Sequence, residues 1–98
     1  MEWNKKVEMV KLSNSANSIE SRKKFYSYVM ENLDEFDEQA FDILINAIEL
    51  IPTQLKEDIE FCKVLYSKFQ EHQFNELSIR NALRIEMFKL ICENDLGL

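Results

Sequence analysis

The chain has 98 residues but a single glycine and a single proline, and the glycine, Gly97, is the penultimate residue. Phosphate-cradling loops, dinucleotide fingerprints and calcium-binding turns all need glycine where the backbone turns sharply or approaches a ligand, which excludes the familiar nucleotide enzymes. The one histidine, His72, excludes zinc-protease motifs and histidine-paired metal sites. The acidic residues lack the alternating Asp-x-Asp pattern of a calcium loop, and no Glu-x-x-His pair exists for a di-iron bundle. We therefore expect no cofactor and no metal. His72 falls at an expected helix end with no nucleophile beside it, so it reads as a cap or surface residue and no enzyme is expected.

Cysteine is scarce too. Cys62 and Cys92 each sit inside an apolar helical pattern, which reads as two reduced, core-facing thiols and a cytoplasmic protein. Long hydrophobic runs are absent: Ile43 to Ile45 is typical of the longest, far below the roughly 20 residues of a membrane helix. Lys5, Lys6, Glu8 and Lys11 interrupt the first twelve residues, so no signal peptide and no membrane association are expected.

What the chain does have is helical periodicity. Residues 3 to 12 form a first helix, followed by a Ser/Asn cluster that favours a turn. Asn17, with Glu20 three positions on, is a candidate cap for a second helix to about Leu33, where Ile19, Tyr26, Val29 and Leu33 share a face. A third helix spans about 37 to 51. From Ala40 to Ile51 its only polar positions, Asp42, Asn46 and Glu49, fall on one side, which places this helix near the centre of the core. Pro52 ends it. Thr53 then caps a fourth helix to about Glu71, with Leu55, Ile59, Cys62, Leu65 and Phe69 inward. After a loop about His72 to Phe74, Asn75 opens a last helix to about Glu93, with Ile79, Leu83, Met87, Leu90 and Ile91 inward and Ile85, Phe88 and Cys92 off that face. No strand pattern occurs. The expected fold is all-α, a compact antiparallel bundle of four to five helices in one domain over 1–98.

The formal charge of −6 is unevenly placed. No lysine or arginine occurs between Lys24 and Lys56, whereas Glu31, Asp34, Glu35, Asp37, Glu38, Asp42 and Glu49 fall there. The rest of the chain, with 12 basic and 11 acidic residues, is nearly neutral. Asp34 or Asp37 suits a helix N-cap, and acids in a first turn are favoured by the helix dipole. Glu31, at the end of the preceding helix, opposes that dipole. Phe36, amid the acids, reads either as a packing staple or as an anchor for a partner.

Glu31, Asp34, Glu35, Phe36, Asp37, Glu38 and Asp42 are thus the candidate partner-binding residues. The expected partner is a basic, nuclease-like protein or toxin, with carboxylates standing in for phosphates. Immunity proteins of bacterial toxins, antitoxins and phage-encoded inhibitors share this size and acidity as a class, although no motif here belongs to any one family. Two alternatives stand beside this reading. One is a helical module that dimerises or docks a partner helix through apolar surface on the last helix. The other is a nucleic-acid-binding regulator using Arg22-Lys23-Lys24, Lys5, Lys6 and Lys11, or a recognition-like helix with Arg80, Asn81 and Arg84; it must work against the net charge.

Overall fold

The computed structural model describes residues 1–50, 55–71 and 77–98. The protein is all-α, a helical bundle with five α-helices and no strand among the described residues. They are α1 (Trp3–Asn14), α2 (Ile19–Asn32), α3 (Glu38–Leu50), α4 (Lys56–Glu71) and α5 (Ile79–Asp95), with a 3-10 turn at Leu33–Glu35 between α2 and α3. No helix among the described residues is long and apolar enough to cross a membrane. The chain divides into two compact units, Met1–Ile51 and Pro52–Leu98.

In the first unit α1 packs against both α2 and α3. Ser18, not Asn17, caps α2: its Oγ accepts the Ser21 amide at 3.2 Å, and its backbone is extended as an N-cap requires. Both residues suit the role chemically. The first helical bond decides between them: the Ser18 carbonyl accepts the Arg22 amide at 2.9 Å, while the Asn17 backbone amide still closes the preceding turn onto the Ser15 carbonyl at 2.9 Å. Met9, Phe25, Val29, Ala40, Phe41 and Leu44 are fully buried, and Tyr26, Leu33 and Ile45 nearly so. At about 1.5–3 kcal/mol for each large apolar side chain withdrawn from water, this cluster supplies the unit's main stabilisation. Asn46 and Glu49 lie on the exposed side of α3, as their spacing predicts.

In the second unit α4 packs against α5. Phe61, Cys62, Leu65 and Phe69 of α4 are buried, while Leu55, expected to face inward, precedes the helix and is largely exposed. Ser78 caps α5 by accepting the Asn81 amide at 3.2 Å. The two helices run antiparallel. Phe69 meets the edge of Phe88 at 5.7 Å, Lys89 donates to Gln70 at 3.4 Å, and Cys92 lies toward Cys62 farther along. The expected helix end at Pro52, the caps Thr53 and Asn75, and the loop about His72 to Phe74 lie outside the described residues.

The last helix departs from expectation. Asn81, Ile85 and Cys92 are buried and Phe88 half-buried, whereas the five residues expected inside are exposed: Ile79 80%, Leu83 61%, Met87 58%, Leu90 53% and Ile91 52%. The helix carries apolar residues on two roughly opposite faces. Periodicity identifies both faces, but only the partner helix decides which is covered. Phe88 and Cys92 fit against α4, Asn81 and Ile85 are buried on that same side of the helix, and the larger aliphatic face is left in water.

Candidate functional site

The seven candidate residues lie on one continuous stretch: the end of α2, the 3-10 turn and the start of α3. The turn is built locally. Asn32 folds its amide back onto the Tyr28 carbonyl at 2.9 Å, and the Phe36 amide donates to the Leu33 carbonyl at 3.2 Å. Asp37 is the N-cap of α3, its Oδ1 accepting the Ala40 amide at 3.1 Å. Phe36, just before the cap, packs edge-on against Phe41 with ring centroids 5.2 Å apart, the hydrophobic staple that fixes the chain's entry into a helix. Of the two roles open to Phe36, the staple is the one its contact fills.

The acids find cations that their sequence neighbourhood lacks. Lys5 of α1 reaches both oxygens of Glu35, at 3.0 and 2.8 Å. Lys6, largely covered, lies 2.6 Å from Asp37 Oδ2 and donates to Gln39 Oε1 at 2.7 Å, while the N-terminal ammonium lies 3.5 Å from the same Asp37 oxygen. These contacts show in the acidities. Partial burial works to raise the Asp37 carboxyl, but the Lys6 hydrogen bond, the Ala40 amide and the nearby positive charges outweigh it, and its pKa is held below the ordinary value. The hydrogen bond to Glu35 raises the Lys5 ammonium. Burial raises the Tyr28 phenol, whose hydroxyl meets the Lys5 carbonyl at 3.4 Å.

Glu31, Asp34 and Glu35 are exposed, and Phe36, Asp37, Glu38 and Asp42 are half-buried. Asp34, Glu38 and Asp42 are not without partners of their own. The acidic turn is therefore a surface in which part of the charge is already matched by α1. Asp42 also borders a groove of about 500 Å³ between α1 and α3, floored by Val7, Val10 and Ile43 and flanked by Trp3 and Lys11. No cluster of three or more His, Cys, Asp or Glu placed to hold a metal occurs among the described residues.

The basic groups are scattered by the fold. Arg22 is buried on the inner face of α2, and Asn81 is buried at the start of α5, which removes it from any base-reading surface. Cys62 and Cys92 are free and buried. Burial pushes the Cys62 thiol up to about 12 and Cys92 to about 11, so neither is a nucleophile at neutral pH.

The surface that sequence reasoning placed inside is the outer face of α5. At about 100° per residue, Ile79, Leu83, Met87, Leu90 and Ile91 fall within a strip about 120° wide. Their exposed fractions amount to about three whole large side chains, on the order of 400–500 Å² of apolar surface in one patch, at the upper range for a monomer. The signal was present in the sequence as a helix apolar on two faces. No protein-family model, curated protein or solved structure matches this chain.

Proposed function

We propose that this chain is a protein-docking module whose contact surface is the outer face of α5. One observation carries the reading: five large aliphatic side chains, each more than half exposed, form one strip on a single helix. Leaving such a patch in water forfeits the stabilisation that covering it would give, and a rigid helix presents it without an ordering cost. We place its action in the cytoplasm, a reading supported by the two buried, free thiols. Catalysis has no part in this reading.

The test compares two variants as bait in a lysate of the source cell. Leu83→Glu with Met87→Glu alters only exposed positions and should abolish capture while the far-UV spectrum stays unchanged. Glu31→Lys with Asp34→Lys should retain it.

The exposure of Glu31, Asp34 and Glu35 favours a second reading, in which the chain neutralises a basic, nuclease-like protein in the manner of an immunity protein, antitoxin or inhibitor. That reading predicts the reverse pattern, together with capture that weakens steeply with salt.

A further inference from the structure

We propose that the strip on α5 of one copy of this chain lies in the groove between α1 and α3 of another copy. The proposal rests on the docking role of the α5 face and names its occupant. The two surfaces are apolar at their centres. The strip offers Ile79, Leu83 and Met87, and the groove offers Val7, Val10 and Ile43 beside Trp3, which is 70% exposed.

Their rims carry opposite charge. α1 and α3 run in the same direction: the N-terminal ammonium and Lys6 meet Asp37 and Gln39 at the start of α3, and Val10 and Lys11 share the groove with Asp42 and Ile43 farther along. Lys11 stands on the α1 rim. Glu38, Asp42 and Glu49 fall within about 40° of one another on the α3 rim, and α3 contains no lysine or arginine. On α5, Arg80 lies inside the strip near its Ile91 edge and Arg84 just beyond that edge, one turn on, while Glu86 and Glu93 lie beyond the Ile79 edge.

The right-handed sense of the helices fixes which edge meets which rim. Laid strip-down and parallel to α1 and α3, α5 turns its arginines toward α3 and its glutamates toward α1. Reversed, it sets Glu86 and Glu93 against the acids of α3 and Arg84 against Lys11, which repel. In the parallel setting one register matches both rims. With Arg80 level with Glu38 and Arg84 level with Asp42, each pair one turn apart, Glu86 comes level with Lys11, and Ile79 and Leu83 lie over Trp3, Val7 and Val10. The charged groups have neighbours in their own chain: Glu86 lies 2.8 Å from Lys89, Arg84 donates to Asn81 at 3.4 Å, and Arg80, Glu38 and Asp42 are engaged as well. A guanidinium with five N–H donors and a carboxylate with about four acceptor sites each accommodate a further partner. Strip and groove together bury on the order of 1,000 Å² per contact, near the lower limit of specific interfaces, and a dissociation constant of about 10–100 µM is the corresponding expectation.

Sedimentation velocity from about 1 to 300 µM is the test, on the parent chain and on Leu83→Glu, Val10→Glu, Glu86→Lys and Lys11→Glu, all at exposed positions and each with an unchanged far-UV spectrum. The parent should gain mass with concentration, and Leu83→Glu and Val10→Glu should each weaken this by at least about tenfold. Glu86→Lys and Lys11→Glu should each weaken it by about threefold or more, and an equimolar mixture of these two should recover it, because each altered residue then meets its complement on the other chain. A chain that remains monomeric throughout overturns the second copy; if Leu83→Glu with Met87→Glu still abolishes lysate capture, the docking role itself survives. Association lost in Leu83→Glu but kept in both Val10→Glu and Lys11→Glu overturns the groove as the occupant. A mixture no stronger than either charge variant alone overturns the parallel setting. Association indifferent to Leu83→Glu overturns the proposal outright.

Discussion

Asp37 joins three pieces of the first unit, and its replacement has a calculable effect. The carboxylate caps α3 through the Ala40 amide and pairs with Lys6 of α1 at 2.6 Å. Losing an N-cap costs about 1 kcal/mol. The ion pair adds less than a fully buried pair would, because the Asp37 side chain is 42% exposed and the interaction is screened; up to about 1 kcal/mol is appropriate. Asp37→Ala should therefore destabilise by about 1–2 kcal/mol. With a slope of about 1 kcal/mol per molar urea for a small unit, the unfolding midpoint followed by circular dichroism should fall by about 1–2 M. Asp37→Asn keeps a good cap and loses only the charge, so it should lose less than half as much. Glu35→Gln, which alters only the exposed end of the pair with the half-buried Lys5, should leave the midpoint unchanged within error. The reasoning is refuted if Asp37→Asn is as damaging as Asp37→Ala, or if all three variants unfold together with the parent protein.

Three further predictions follow from the same contacts. Because the Asp37 carboxyl has its pKa lowered below 3.8 in the folded state, the unfolded chain binds the proton first on acidification. The stability Asp37 contributes should be complete well above pH 3.8 and decline as the pH drops through the folded-state value; an acid titration of the urea midpoint should lose part of this decline in Asp37→Asn. On α5, Ile85→Lys should cost about 3 kcal/mol or more by burying an unpaired charge, whereas Leu83→Lys should stay within about 0.5 kcal/mol, and the reverse order would mean that the helix faces the other way. Cys62 and Cys92, with thiols raised to about 12 and about 11, should react with a thiol reagent at pH 7.5 only when urea unfolds the chain, and prompt labelling of the native protein would contradict their burial.

Local signals were legible wherever the reason for a structure is itself local. The polar positions of α3 mark its outer side, the Ser/Asn cluster marks the turn before α2, and Phe36 with Asp37 marks the start of α3. Long-range partnership was not legible. Lys6 and Asp37 are 31 positions apart, and nothing in the composition of the acidic stretch shows that α1 supplies its counter-charges. The acidic turn therefore looked more isolated in sequence than it is in the fold. The same limit applies to α5, where Ile79, Leu83, Met87, Leu90 and Ile91 make the larger apolar face and would be placed inside by amphipathicity alone. Burial instead follows the fit to α4, where the Phe69–Phe88 contact and the neighbouring Cys62 and Cys92 leave the smaller face covered. Asn81, polar yet fully enclosed, shows how far such packing overrides residue type.

The central claim, that the outer face of α5 is a contact surface, is tested most directly by capture from a lysate of the source cell, with the parent chain, Leu83→Glu with Met87→Glu, and Glu31→Lys with Asp34→Lys as baits. The account predicts that the α5 variant alone loses the captured protein while its far-UV spectrum stays unchanged. Capture that survives in the α5 variant and is lost in the acidic-turn variant would contradict it.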